Sequence, residues 1–381
     1  MFLNREKVAT EQLVPELAAV LKQKPMAERE ASDGRELFQI LKNQANPGLM
    51  VGKNLGGLGA DLVSAVRIHR YVGSLSPSLA IMMTMHNHTT YALNRAMDSS
   101  LAITEMTLTN VANDRLVFCS GFAEACPGAN ILSSSVSAQL NSSGDKFVIT
   151  GSKKPCTMTD FADLALVGIA NPNGSGQESR GLLIVDNMNA AKIEKVPFWP
   201  SSILTATSSN ELAFRGLEVS KDNVALMEMG AEPDKTKQAI EITELVGLSS
   251  FQVMVAASYL GVASRLAALC FEAKHTNSTD MSQIAIELET AALALEGIAA
   301  QIDSHVPSEE LVATAIVVRT MVSQCIERAN NLAVMSLGGM KYLSNEDVRY
   351  LLQVANCLNF HPLSRGERID FIRHVLCHSH L

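Results

Sequence analysis

The chain has 381 residues, 47% hydrophobic and 18% charged, with a formal net charge of -8. That length supports two or three structural units around a large buried core. The acidic balance excludes nucleic acid or an anionic membrane as the main partner, while a phosphate-bearing cofactor stays compatible with it. The seven cysteines are scattered, odd in number and never spaced as CxxC. They read as reduced thiols, with no disulfide framework and no metal site expected. Residues 1–7 carry charges of both signs and no apolar stretch, so no secretory signal is expected. The best candidate for a membrane span, residues 311–322, is short and interrupted by Arg319. A cytoplasmic protein is the expectation.

In chain order, residues 5 to 115 read as helical. RELFQILKN at 35–43 has apolar residues at helical spacing, and residues 62–98 read as two helices divided near Ser74 to Pro77. A glycine-rich turn, KNLGGLGAD, occupies 53–61. From Arg115 to about Val224 the period becomes that of strands: LVFCSGF, SVSAQLN, KFVITGSK, LALVGIA, GLLIVD and ELAFRGLEV. Turns such as NSSGD (141–145) and NPNG (171–174) part them, the pattern of a compact antiparallel β-domain. From about Asp234 the chain is helical again, over 240–274 with a bend expected near Gly261, then 281–303, 309–337, 345–358 and 365–377. Long helices with short joints predict an antiparallel four-helix bundle.

Several segments carry a resemblance. LGGLGA at 55–60 and GFAEACPGAN at 121–130 are similar to the YGGLG and ALTEPEAGSD segments of acyl-CoA dehydrogenases. FVITGSKK at 147–154 fits the strand before that family's Trp-Ile-Thr, so Pro155, Cys156 and Thr157 fall on the triplet. NELAF at 210–214 and GGMKY at 338–342 stand where the family reads AELVF and GGYGY. Each motif is weak alone; their collinearity over nearly the whole chain is strong. The segments at 154–157, 197–199 and 360–362 resemble the biosynthetic, natural-product branch.

The resemblance implies an α+β, acyl-CoA dehydrogenase-like fold: a helical N-domain (1–115), a middle β-barrel domain (116–230) and a C-terminal four-helix bundle (231–381). It implies FAD between β-domain and bundle, held by Phe122, Ala123, Gly128, Asn130, Cys156 and Thr157, with Thr157 near flavin N5 or O4. The implied activity acts on the CH–CH group of an acyl thioester, acyl-CoA or acyl-carrier protein. A base takes the α-proton and the flavin takes the β-hydride from the other face. A homodimer or homotetramer through the bundle is expected, because LVATAIVV at 311–318 has hardly a polar side.

Three departures bear on that activity. The family's glutamate positions fall on Pro362 and Phe251, neither of which accepts a proton. The loop at 273–280 lacks the arginine and the Phe-Gly that reach the flavin pyrophosphate, which predicts weaker FAD binding. Trp-Ile-Thr has become Pro155, Cys156 and Thr157. His361 is the natural substitute base, with His86 second and His88 beside it on the same helix; the plainer role for each is a hydrogen-bonded core histidine. His374, Cys377, His378 and His380 fit no standard zinc spacing. The alternative to thioester oxidation is a flavin-dependent monooxygenase or a non-catalytic thioester-binding protein.

Overall fold

Asp61 accepts the Ser64 N–H at 2.7 Å and so caps Leu62–Leu75. Ser76, extended ahead of Pro77, ends that helix, and Pro77 opens the next, Pro77–Arg95. These are α5 and α6 of a computed structural model that describes residues 2–97, 103–124, 134–171, 180–227, 235–273 and 277–377. Before them come α1 (Asn4–Leu13), α2 (Leu17–Leu21), α3 (Met26–Glu30) and α4 (Arg35–Ile40), and after them α7 (Thr104–Asn113).

The middle region is one eight-stranded sheet of β1 (Phe118–Gly121), β2 (Ser137–Leu140), β3 (Lys146–Cys156), β4 (Leu164–Ala170), β5 (Arg180–Val185), β6 (Ile193–Val196), β7 (Asn210–Ser220) and β8 (Val224–Leu226). Its order is β6-β7-β3-β2-β4-β5-β8, with β1 beside β4. Most pairs are antiparallel, but β1 runs parallel to β4, as does the single bridge between β2 and β4. The all-antiparallel expectation is corrected here. β1 enters straight from the helical region and lies along β4 with its face on α6, where no hairpin constrains its direction.

The C-terminal helices are α8 (Lys235–Phe271), α9 (Ser278–Ser304), α10 (Glu309–Leu337), α11 (Gly339–Ser344), α12 (Glu346–Ala355) and α13 (Arg365–Ile372). α8 packs on α5, α6, α9, α10 and α12 and forms the axis of the molecule. It runs as one helix through Gly261, and the glycine there has a packing reason. A Cβ at Gly261 would lie 2.1 Å from the Arg70 carbonyl oxygen, and one at Gly73 would lie 2.1 Å from that of Ser258. The two glycines let α5 and α8 touch backbone to backbone. α8 is also long and apolar enough to cross a membrane, but 83% of its most apolar window is buried inside the fold.

Arg70 locks this crossing. Its guanidinium bonds Glu6 and Glu289, each at 2.7 Å, and Ser264 at 3.2 Å, joining α1, α5, α8 and α9. Within the apolar run at 311–318, Val312, Ala313, Ala315 and Ile316 are buried inside the chain's own bundle. Leu311, Thr314 and Val318 of the run are half-buried and Val317 is exposed.

Candidate active site

Between the sheet and α6, α8 and α10 lies a cavity of about 1340 Å³. Drug-sized ligands fill about 300–1,000 Å³, so it has room for a cofactor ring and a substrate together. β1 and the residues after it contribute Ser120, Phe122 and Ala123; the end of β3 contributes Pro155 and Thr157. The helical wall supplies His88, Phe251, Tyr259 and His361, and Trp199 stands at the rim, half-exposed.

On the sheet side three hydroxyls form a chain with a fixed direction. Thr207 Oγ1 donates to the Leu204 carbonyl at 2.8 Å, so its single proton is committed. It must then accept from Ser209 at 2.8 Å, and Ser209 must accept from Thr157 at 3.0 Å. The buried Thr157 thus ends the chain with its own proton committed to Ser209 and its lone pairs left to accept. Cys156 does not belong to this wall. Its thiol is fully buried, bonds the Lys153 carbonyl at 3.4 Å and lies beside Cys119, whose own thiol it pushes well above its usual range. Successive side chains of a strand point to opposite faces, so Thr157 facing the cavity turns Cys156 into the core. Its assignment to the cofactor is corrected accordingly. Gly128 and Asn130 lie outside the described residues, as do Lys274, His275, His378 and His380.

On the helical side the two histidines of α6 separate. His86 accepts the Phe118 N–H on Nδ1 at 3.0 Å, so Nε2 carries the proton and donates to the Pro47 carbonyl at 2.8 Å. Both nitrogens are consumed by backbone away from the cavity, and burial lowers the imidazole to about 4. His86 fastens α6 to β1, and its candidacy as a base is corrected to that structural role. His88, two residues on, does line the cavity. Its Nε2 is 3.1 Å from Ser120 Oγ, and its ring stands edge-on to Phe251, centroids 5.3 Å apart.

His361 is held at the far side of the Phe251 ring, centroids 6.1 Å apart, with Nε2 2.7 Å from the Tyr259 hydroxyl. Burial, helped by the charge of Arg319, lowers it from 6.5 to about 3. Burial likewise lowers His88 to about 3, opposed by the Gly247 carbonyl. Both imidazoles stay neutral at ordinary pH and serve as hydrogen-bonding groups, too weakly basic to hold an abstracted α-proton.

Arg319 positions His361. From α10 it donates to the carbonyls of Leu358 (2.7 Å), His361 (2.8 Å) and Pro362 (2.6 Å) and to Gln252. Replacing it with methionine strips this donor from the Leu358 and His361 carbonyls and leaves Pro362 only the 3.3 Å bond from Gln252, where an unsatisfied buried acceptor costs about 1–3 kcal/mol. Urea unfolding of Arg319→Met is expected to show a loss of about 3 kcal/mol, and a loss below about 1 kcal/mol would refute the clamp.

No carboxylate joins this corner among the described residues. Glu367 closes the capping box of α13 with Ser364, and Glu124 is tied to Lys153 at 2.5 Å and to the Ser135 N–H at 2.7 Å. Glu244, which sequence reasoning missed, lines the cavity two helical turns from Phe251 and pairs with Arg180 at 2.9 Å.

A helical N-terminal region, a sheet and a helical bundle, with this cavity between sheet and bundle, define an acyl-CoA dehydrogenase-like fold. No protein-family model matches the chain. The isobutylamine N-hydroxylase of Streptomyces viridifaciens is 31% identical over 366 residues, 95% of this chain and 94% of that protein. KijD3 in complex with FMN and dTDP-3-amino-2,3,6-trideoxy-4-keto-3-methyl-D-glucose superposes with a TM-score of 0.81 at 16% identity, over 97% of this chain and 93% of that one. Butyryl-CoA dehydrogenase from Megasphaera elsdenii gives 0.79 at 18%, over 99% and 97%. The chain belongs to the family of that isobutylamine N-hydroxylase, and its fold is the one shared by KijD3 and butyryl-CoA dehydrogenase.

Proposed function

We propose that the protein is a reduced-flavin-dependent monooxygenase that N-hydroxylates an amine. The observation that carries this reading is the corner formed by Phe251, His361 and Pro362. Its only ionisable group is an imidazole lowered to about 3, so α-proton abstraction from a thioester has no base in that corner. Oxygen transfer to a nitrogen lone pair needs none there. The relative at 31% identity is an amine N-hydroxylase by name, which supports the same class.

The residues fit a flavin. Phe122, Pro155 and Trp199 give a ring apolar surfaces, and Thr157 offers an acceptor suited to a ring-edge N–H of the reduced cofactor, which oxidised flavin lacks at N5. Bound there in reduced form, a flavin supplies two electrons to molecular oxygen, one oxygen atom entering the product and the other leaving as water. The chain's own residues choose the state of the amine. The burial that takes His361 and His88 from 6.5 to about 3 also disfavours an ammonium in that corner. An amine is therefore held there neutral, with its lone pair available, while the His88–Ser120 and His361–Tyr259 pairs offer hydrogen bonds.

Without the arginine of the 273–280 loop, affinity comes from the ring and the ribityl phosphate. FMN and FAD then bind with affinities within about tenfold, since a lost guanidinium–phosphate contact accounts for about 1.5–3 kcal/mol. For oligomerisation we infer a homodimer or homotetramer through the exposed Leu293, Met335, Met340 and Leu343 of the bundle.

The deciding experiment supplies the protein with FMN, NADH, a separate flavin reductase and isobutylamine under ¹⁸O₂. One labelled oxygen in the hydroxylamine is expected. No hydroxylamine, together with anaerobic bleaching of bound flavin by butyryl-CoA, would replace this reading with thioester dehydrogenation.

A further inference from the structure

Thr243, Glu244, Gly247, Leu248 and Phe251 all line the cavity, and their spacing of three and four residues puts them on one face of α8. Phe251, against His88 and His361, marks one end of that face. Glu244 marks the other, about 10 Å away at 1.5 Å per residue. The wall between and opposite is apolar: Leu248, Gly247 packed against Ala92, and Leu166 of β4.

Glu244 differs from the other acids on this cavity. Glu327 is exposed, Glu367 caps a helix and Glu124 is bonded to Lys153 and the Ser135 backbone. The Glu244 side chain is only 9% exposed and sits between the cavity and Arg180, the first residue of β5. Glu244 lines the cavity and is held by Arg180, which does not line it.

We propose that Glu244 binds a second, cationic head of the substrate, a primary ammonium, so that the protein takes aliphatic α,ω-diamines. One nitrogen lies neutral at the Phe251–His361 end, and the other lies charged on Glu244. This deepens the amine reading above and rests on it. The axial separation of about 10 Å, less the about 3 Å of a hydrogen bond, leaves about 7 Å between the two nitrogens. That is about the extended length of 1,5-diaminopentane, whose methylenes match the apolar stretch between.

The electrostatics agree. Burial pushes Glu244 up to about 7, with the charge of Glu241 adding to this and Arg180 opposing it. An arriving ammonium adds a second positive charge to that of Arg180, so ligand binding and ionisation of Glu244 reinforce each other. A monoamine leaves that end of the cavity unmatched.

The test compares 1,5-diaminopentane with pentylamine, which has the same chain and one nitrogen fewer. In the wild type kcat/KM is expected to favour the diamine. In Glu244→Gln the ratio of diamine to monoamine is expected to fall about 10–100-fold, mostly through KM, as a charge-assisted bond is removed. Glu244→Asp keeps the charge and is expected to recover part of the ratio, which a merely misfolded cavity would not do. An unchanged ratio in Glu244→Gln, or equal losses for both amines, overturns the proposal. Binding is read separately by calorimetry with the flavin-loaded, oxidised protein. If neither amine is hydroxylated, the reaction assigned above fails. Calorimetry then still decides Glu244, by whether the variant loses diamine affinity selectively.

Discussion

The protein is expected to lose stability steeply as the pH falls below about 6.5 and to hold it nearly constant between pH 7 and 8. Burial lowers four histidines, His69, His88 and His361 to about 3 and His86 to about 4. Unfolding returns each to about 6.5. A group whose folded value is depressed gives full stability above its unfolded value and loses it as the pH falls toward the folded one. Between about pH 6 and 4 the unfolded chain therefore holds up to four more protons than the folded one. Each is worth about 1.4 kcal/mol per pH unit. Glu244 works in the opposite sense. Its raised value binds a proton on folding as the pH drops through 7, which offsets about one histidine. The net loss amounts to several kcal/mol by pH 5, set against a typical total of about 5–15 kcal/mol. Urea midpoints at pH 8, 7, 6 and 5 measure it directly. His86→Gln should reduce the low-pH slope by about one proton, although it also weakens the α6–β1 junction at neutral pH. Midpoints that stay level down to pH 5 would show that these imidazoles are not held neutral.

Much of the fold is legible in the sequence because its elements are long and periodic. The break between α5 and α6 is written in Ser76 and Pro77, and Glu309–Leu337 runs over the span its pattern predicts. Residues 193–196 are not legible as β6. Four residues, IEKV, give too little alternation, and pairing with β7 is what makes them a strand. Gly261 looks like a hinge in one dimension and is a contact point in three, because the residue that demands a glycine, Arg70, lies far away in the chain.

The site divides along the same line. Collinear motifs place Thr157 and the missing glutamate, since both depend on register alone. Arg319 is visible in the sequence only as an interruption of an apolar run; a buried arginine needs buried acceptors, but that these are the carbonyls of the 358–362 turn is supplied only by the fold. Glu244 stands in a helix whose residues 245–264 carry no charge. Such an isolated acid is worth weighing, but its partner Arg180 on β5 is supplied only by the fold. The direction of the Thr157–Ser209–Thr207 chain depends on where the Leu204 carbonyl points, which no pattern of residues encodes.

That direction leads to the largest expected effect on turnover. Thr157→Val keeps the shape of the side chain and removes the hydroxyl at the end of the chain, whose lone pairs are left to accept. Ser209 keeps its donor bond to Thr207, so the cost to folding is small. Under the proposed function, what is lost is a fixed acceptor for the flavin's ring edge, and removing one preorganised hydrogen bond of that kind typically slows catalysis by about 10²–10³. Product formed per flavin oxidised is expected to fall by about that factor, with the reducing equivalents appearing as hydrogen peroxide in place of hydroxylamine. Flavin affinity should change by less than about tenfold, because one hydrogen bond contributes about 0.5–1.5 kcal/mol to binding. Thr157→Ser retains the oxygen and should keep most of the coupling. Ser209→Ala breaks the chain one step back, leaving Thr157 free to turn its proton toward the ring, and should fall between the two. Its partial effect separates a directed acceptor from a hydroxyl that is merely present. Should Thr157→Val couple oxygen to product as efficiently as the wild type, the hydroxyl chain has no part in the reaction, and the ring edge must be met by another wall of the cavity.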